Sequence, residues 1–270
     1  MSRIGDRFAR LKSEGRKGFI PFVTAGDPDL ETSLGIIRKL AERGADVIEL
    51  GVPFSEPMAD GPTIQASSQR ALANGTRLGD VLQLVREFRK GDETPIVLFS
   101  YLNPLMQFGF ENLVRSAAEC GVDGVLVTDA IDEEAAEIGS LLAQQGIDLI
   151  SLIAPTTSNA RLERICANAG GFVYAVSRAG VTGARDQMTS DAEALAGRAR
   201  RFTSLPIAVG FGISTPQQIA DVWRYADAAV VGSAIVAEIS RAADGRDAVE
   251  RVDKLVSRLL SSVANASVDI

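Results

Sequence analysis

The sequence places one carboxylic acid inside an apolar segment. Residues 47–51 read Val-Ile-Glu-Leu-Gly, so Glu49 is flanked on both sides by aliphatic residues. A buried carboxylate is unfavourable unless it is paired or protonated. In a β-strand Glu49 would share a face with Val47 and Gly51. If that face is the protein interior, desolvation raises the pKa of the carboxyl and suits it to general acid–base catalysis. The alternative is a structural glutamate bonded to a neighbouring strand or to an arginine.

A second acid, Asp60, lies in the loop that follows. It precedes Gly61 and Pro62, which are typical of a helix start, and it would complete the turn or cap the helix equally well. The sequence contains no histidine, which slightly favours a catalytic role, because proton transfer then falls to Asp, Glu, Tyr, Lys or Cys. None of the lysines ends an apolar segment, so a Schiff-base mechanism has no candidate residue. No cluster of metal ligands is expected either.

Two glycine turns near the end of the chain predict a site for a phosphate group. Residues 208–214 read Ala-Val-Gly-Phe-Gly-Ile-Ser and residues 230–234 read Val-Val-Gly-Ser-Ala, and each run leads from a strand pattern into a helix pattern. Glycine lets the backbone approach a phosphate, and the N–H groups at a helix start bind it. The alternative is plain turn chemistry.

The segment 177–185 combines glycines with basic residues. It contains Gly180 and Gly183 among small residues, together with Arg178 and Arg185. Such a segment could close over a substrate as a lid, with the glycines allowing the movement. The alternative is an ordinary mobile surface loop.

Short β-branched apolar runs alternate with amphipathic stretches along the whole chain. The predicted strands are 18–24, 46–51, 95–101, 124–128, 148–153, 172–177, 206–210 and 228–232. The predicted helices are 4–14, 30–43, 78–90, 110–119, 133–145, 160–168, 192–202, 216–223 and 246–263. Eight such units predict an α/β fold, and they fit a single (βα)8 TIM barrel, with its active site at the C-terminal ends of the strands, better than the alternative of an open parallel sheet. We expect one domain over residues 1–270, with an extra N-terminal helix within 1–15 and a frayed tail at 265–270.

Composition narrows the function further. The chain has 270 residues and a net charge of −7, which argues against a nucleic-acid or anionic-membrane surface, because both need clustered Lys and Arg. Cys120 and Cys166 are a distant pair in predicted helices, and we expect both to be reduced core residues. The charged start and the lack of a long apolar stretch predict neither a signal peptide nor a membrane helix. A cytoplasmic enzyme is therefore expected.

Several segments together resemble the tryptophan synthase alpha chain family, and the resemblance covers nearly the whole sequence. The segments are PFVTAGDP at 21–28, ELGVPFS at 49–55, ADGPTIQ at 59–65, YLNP at 101–104, SR at 177–178, GVTG at 180–183 and GFGIS at 210–214. The combination of the signatures after the second and sixth predicted strands is specific to this family among phosphate-binding barrels.

The resemblance implies a lyase of tryptophan biosynthesis, which cleaves indole-3-glycerol phosphate to indole and glyceraldehyde 3-phosphate by a retro-aldol reaction. It implies that Glu49 protonates the indole carbon, that Asp60 accepts the indole N–H, and that Thr182 closes the lid, in which Arg178 also lies. The backbone groups implied for the phosphate are those of Gly183, Gly212, Gly232 and Ser233. The residues implied for the indole pocket are Phe22, Ile64, Tyr101, Leu126, Tyr174 and Phe211. Taken individually, Phe22, Tyr101 and Tyr174 fit core packing better than ligand contact.

The resemblance also implies a partner. This is a beta chain that carries pyridoxal phosphate, in an α2β2 heterotetramer, and no cofactor is implied for the present chain. The family usually has aspartate at Glu56, leucine at Met58 and Asp-x-Pro where this chain has Asp-Ala-Ile at 129–131. These departures bear on the partner interface and not on the catalytic pair.

Three other functions remain open at the level of the sequence. A phosphosugar isomerase or aldolase commonly uses a strand lysine, a histidine or a metal, for which this chain offers no candidates. A stand-alone indole-3-glycerol-phosphate lyase would share every catalytic residue. A catalytically weak barrel that acts only as an allosteric activator of a beta chain is disfavoured by the presence of both Glu49 and Asp60.

Overall fold

The structure is a computed structural model that describes residues 2–176, 185–210 and 212–264, of which 132–133, 185–190 and 262–264 are described by backbone alone. In this part of the chain eight parallel strands pair in sequence order, and β8 pairs with β1 to close a barrel. The strands are β1 (Gly18–Thr24), β2 (Ile48–Gly51), β3 (Ile96–Ser100), β4 (Gly124–Val127), β5 (Asp148–Ile153), β6 (Val173–Val176), β7 (Ile207–Gly210) and β8 (Ala228–Val231). The predicted (βα)8 fold is confirmed.

Twelve helices are described, of which the first closes one end of the barrel and the others surround it. They are α1 (Arg3–Ser13), α2 (Leu30–Glu42), α3 (Pro62–Ala73), α4 (Leu78–Arg89), α5 (Leu102–Phe108), α6 (Phe110–Cys120), α7 (Asp132–Ala143), α8 (Asn159–Asn168), α9 (Arg185–Ala199), α10 (Pro216–Trp223), α11 (Ser233–Ser240) and α12 (Gly245–Ala264). The amphipathic patterns predicted nine of these, with ends shifted by one or a few residues and the start of α9 by seven. They did not include α3, α5 and α11, although the turns at Pro62 and Gly232 indicated where α3 and α11 begin.

The strands separate two apolar clusters, as the alternation of side chains in a strand requires. The outer cluster lies between the strands and the helices. The inner cluster fills the barrel and is formed by Ile4, Phe8, Leu11, Ile20, Val47, Val97, Leu126, Ile150, Phe172, Ala208, Ala228 and Val230. Glu49 is two residues beyond Val47, and its register partners are Phe22 of β1 and Val97 of β3. The acid therefore points into the barrel, above the inner cluster.

The N-terminal helix closes the opposite end of the barrel. Ile4, Phe8 and Leu11 of α1 belong to the inner cluster, and the ring centroids of Phe8 and Phe172 lie 5.7 Å apart. Because α1 fills this end, a ligand can reach the inner side chains only from the C-terminal ends of the strands.

Several strands begin later than the apolar runs suggest. At the N-terminal end of the barrel, aspartate side chains accept backbone N–H groups that would otherwise bond to a neighbouring strand. Asp46 Oδ2 accepts the N–H of Phe19, and Asp227 Oδ2 accepts that of Ile207. These bonds satisfy the backbone without a longer strand.

The described part of the chain contains no helix with the length and apolar character of a membrane span. Cys120 and Cys166 are buried and free. The tail at 265–270, predicted to fray, lies outside the described residues.

Candidate active site

A cavity of about 390 Å³ opens at the C-terminal ends of the strands. Residues from both halves of the barrel line it: Phe22, Glu49, Ala59, Asp60, Gly61, Pro62, Thr63, Ile64, Phe99, Thr128, Leu152, Tyr174, Val176, Gly212, Val230, Gly232 and Ser233. The volume suits a small organic ligand. The two predicted acids and the two predicted glycine turns meet in this one cavity.

Glu49 is fully buried at the base of the cavity. Its exposed fraction is 0%, and neither carboxyl oxygen forms a hydrogen bond with any described residue. Burial raises the pKa of Glu49 to about 8, because desolvation disfavours the charged form and no positive group of the described part of the chain offsets it. Glu49 therefore holds a proton at neutral pH.

Asp60 is held at the rim by Tyr101. The Tyr101 hydroxyl accepts the N–H of Ala59 at 2.9 Å and donates to the Asp60 carboxylate. Burial raises the pKa of Asp60 to about 6, although this hydrogen bond lowers it in part. The ring of Phe54 lies 5.3 Å from that of Tyr101 and packs against it. At neutral pH Asp60 is therefore mainly ionised while Glu49 stays protonated.

The predicted phosphate residues lie on the opposite wall. Gly212 has a φ of +64°, and Gly232 precedes α11, whose first turn is capped by no side chain. The N–H groups of Ile235 and Val236 donate to the Gly232 carbonyl, whereas those of Ser233 and Ala234 precede the first helical bonds and can bind an anion. Ser233, the first residue of α11, also lines the cavity.

Glycine at position 210 permits a close approach between two strands. A Cβ atom on Gly210 would lie 2.3 Å from the Tyr174 hydroxyl and 2.8 Å from Cβ of Val230. Tyr174 therefore occupies the space that a side chain at 210 would need, and its ring forms part of the cavity wall.

The residues predicted for the indole pocket are only partly brought together. Phe22, Ile64 and Tyr174 line the cavity, whereas Leu126 lies deeper in the inner cluster. Tyr101 is absent from the lining and bonds to the loop around Asp60 instead.

Four predicted residues cannot be placed in the site. Arg178, Thr182, Gly183 and Phe211 lie outside the described residues.

Sequence reasoning missed several apolar lining residues. Phe99 packs edge-on against Phe22, with ring centroids 5.3 Å apart, and Leu152 lines the wall beyond it. Both lie two residues beyond an inner-cluster residue, Val97 and Ile150, so strand alternation could have found them.

The arrangement offers a proton donor, a second acid that is mainly ionised and an anion site around an apolar space. Among the described side chains, no three of the His, Cys, Asp and Glu types converge as metal ligands would. The cavity is thus equipped to protonate an apolar ligand that carries a phosphate, with Asp60 placed to accept an N–H group or to face a positive charge.

Comparison with known proteins gives a consistent result. The family model for the tryptophan synthase alpha chain matches residues 8–264. The chain is 48% identical to a tryptophan synthase alpha chain of Caulobacter sp. (strain K31), over 99% of this chain and 98% of the relative. The crystal structure of tryptophan synthase subunit alpha from Legionella pneumophila str. Paris is similar with a TM-score of 0.90 and 38% identity, over 98% of this chain and 99% of the other. A chain from the tryptophan synthase α2β2 complex of Pyrococcus furiosus is similar with a TM-score of 0.85 and 42% identity, over 90% of this chain and 98% of the other.

Proposed function

Because the chain belongs to the tryptophan synthase alpha chain family, we propose that the cavity above Glu49 is its active site. The chain is a lyase that cleaves indole-3-glycerol phosphate to indole and glyceraldehyde 3-phosphate. The observation that supports this assignment of the site is the fully buried, unpaired carboxyl of Glu49 in the cavity that also contains the glycine turns.

Glu49 is the acid–base in this proposal. A retro-aldol cleavage adds one proton to the ring carbon that loses the side chain, and it removes one proton from the hydroxyl that becomes the aldehyde. A neutral carboxylic acid can give the first proton and, as a carboxylate, take the second, so that it ends in its starting state. The raised pKa, about 8, supports this role because it keeps Glu49 protonated when the substrate arrives.

Asp60 stabilises the ring in the same proposal. Protonation at carbon leaves the indole ring positively charged, with much of the charge at the nitrogen. An ionised carboxylate that accepts the indole N–H stabilises this intermediate electrostatically. The pKa of Asp60, about 6, supports this role at neutral pH. The two acids thus do different work because their surroundings separate their pKa values.

The remaining cavity residues bind the ligand. Phe22, Phe99 and Tyr174 provide the apolar wall for the indole ring, and the backbone around Gly212 and Gly232 receives the phosphate, with Ser233 beside it. These groups do no chemistry, but they orient the reacting carbon toward Glu49, and orientation itself accelerates a reaction.

Three further assignments follow from the resemblance alone. Thr182 closes a lid over Asp60, Arg178 lies in the same lid, and the backbone of Gly183 contributes to the phosphate site. All three lie outside the described residues.

The partner is a pyridoxal-phosphate beta chain, in an α2β2 assembly like the one named for the Pyrococcus furiosus structure. Support comes from three exposed apolar side chains that follow β2, β3 and β4: Met58 at 86%, Met106 at 59% and Ile131 at 58% exposure. Large apolar side chains at one end of a barrel are typical of a covered surface. Cytoplasmic location and a single domain remain predictions of the same proposal.

Indole release by purified chain tests the assignment. We expect Glu49→Gln and Asp60→Asn each to lower the turnover rate by roughly 10²- to 10⁴-fold, the usual contribution of a positioned acid or base. Glu56→Gln serves as the matched control, because Glu56 is an exposed acid of the same loop. Near-normal turnover in the Glu49 variant would contradict the proposal. A wild-type chain that releases no indole, alone or with a beta chain, would favour the activator alternative.

A further inference from the structure

A second cavity, of about 450 Å³, lies between β4 and β5 on one side and α7 and α8 on the other. Small-molecule sites commonly measure roughly 300–1,000 Å³, so this cavity can hold a ligand of one or two rings. Its walls are mainly aliphatic, with several alanines such as Ala135 and Ala136 on α7. Alanine methyl groups project little, and the space between helix and sheet is therefore broad and suits a flat apolar body.

One wall of this cavity is basic. Arg161, Arg164, Ile165 and Asn168 line it from α8, and their spacing places them on one helix face. Arg164 takes part in an interaction of its own. Arg161 is exposed, and its backbone N–H donates to Ser158 Oγ. An exposed guanidinium at the edge of the apolar space can pair with an anion.

The second cavity adjoins the active site but is distinct from it. Thr128 and Leu152 line both cavities, so the two share a wall. The glycine turns at Gly212 and Gly232 lie on the far side of the barrel mouth and do not line the second cavity. The cavity is consequently not the phosphate end of the substrate site.

We propose that the cavity between α7 and α8 binds a second ligand, a small aromatic carboxylate, whose ring lies among the aliphatic side chains and whose carboxylate pairs with Arg161. Burial of the ring supplies a non-directional attraction. The guanidinium supplies a charge-assisted hydrogen bond, which distinguishes an anion from a neutral molecule of the same shape.

Calorimetric titration of the full chain with 2-naphthoate tests this site. We expect saturable binding to wild type, and Arg161→Gln should weaken it about tenfold or more, the effect of losing a hydrogen bond to a charged group. Arg115→Gln is the matched control, because Arg115 is an exposed arginine on α6 that does not line the cavity. The neutral 2-naphthamide should bind wild type no more tightly than 2-naphthoate binds the Arg161 variant.

A crystal of the chain soaked in 2-naphthoate locates the ring. We expect it between α7 and α8, and Ala136→Phe, which fills that space, should abolish binding. The proposal is wrong if 2-naphthoate does not bind, if the Arg161 and Arg115 variants bind equally, or if the ring lies only beside Glu49. None of these measurements depends on indole release, so a failure here is distinguishable from a failure of the catalytic assignment.

Discussion

The free energy of unfolding of the Glu49→Gln variant, measured relative to wild type, should increase as the pH rises. The pKa of Glu49 is raised from 4.5 to about 8 by burial. Between these values the unfolded chain releases the proton while the folded chain retains it. The folded state binds more protons, so the free energy of unfolding of wild type falls with pH in this window.

The size of the effect follows from the pKa shift. Each pH unit between 4.5 and 8 lowers the free energy of unfolding by about 1.4 kcal/mol through this one group. The full shift corresponds to about 5 kcal/mol, as an order of magnitude. Below pH 4.5 both states are protonated and the contribution is fully present, and above pH 8 the loss is complete. Glutamine cannot ionise, so Glu49→Gln lacks this slope.

Urea unfolding of both proteins at about pH 5.5, 6.5 and 7.5 measures the difference. Burying the amide of glutamine lowers the free energy of unfolding, but this effect does not vary with pH. The other titrating groups are common to both proteins. The slope of the stability difference therefore isolates Glu49. Glu56→Gln serves as the control: it retains Glu49, and its free energy of unfolding should follow that of wild type across this range. A difference between wild type and Glu49→Gln that stays flat across this range would refute the idea of an unpaired, protonated Glu49.

Three further predictions concern activity. Because Asp60 must be ionised and Glu49 protonated, kcat/KM should rise through about pH 6 and fall through about pH 8, and a rate that is flat over this range would contradict the assigned roles. Tyr101→Phe removes a hydrogen bond that lowers the pKa of Asp60, so the acid limb of the kcat/KM profile should move to higher pH. We also expect kcat/KM to fall about tenfold. An acid limb that stays at the same pH would mean that Tyr101 has only a structural role. Gly210→Ala places a Cβ atom 2.3 Å from the Tyr174 hydroxyl. We expect it to lower the free energy of unfolding by about 1–3 kcal/mol, measured by thermal melting, and to reduce indole release. Adding Tyr174→Phe should restore both in part, because it removes the hydroxyl.

Apolar periodicity was sufficient to predict the barrel, but it did not reveal every helix. The turn at Pro62 indicated where α3 begins, but its extent was not predicted, because α3 packs through small and polar residues. Ser67 is fully buried with its Oγ 2.6 Å from Thr24 Oγ1, and Ala71 is buried nearby. Such a helix has no apolar stripe to detect. The helix α5 is short and contains Pro104, which weakens a helix pattern further.

In the active site, too, the sequence pattern predicts some features and not others. An acid within an apolar run is visible in the sequence, and it made Glu49 a candidate for an interior acid, with a structural glutamate as the alternative. The contact of Tyr101 with Asp60 depends on the path of the loop between β2 and α3, which no periodicity encodes. The resemblance placed Tyr101 in the indole pocket, whereas the structure shows it bonded to the loop that carries Asp60.

The buried acids of this chain explain why the isolation of Glu49 matters. Asp27 forms two hydrogen bonds of 2.7 Å with Arg70, and Asp123 pairs with Arg89, so each of these carboxylates is neutralised where it is buried. Glu49 is equally inaccessible and has no such partner among the described residues. An arginine beside Glu49 would hold the carboxyl ionised and remove the proton that the cleavage consumes. Burial of the Glu49 carboxyl without a counter-charge therefore has two results. It lowers the stability of the fold at neutral pH, and it keeps on the carboxyl the proton that the cleavage needs.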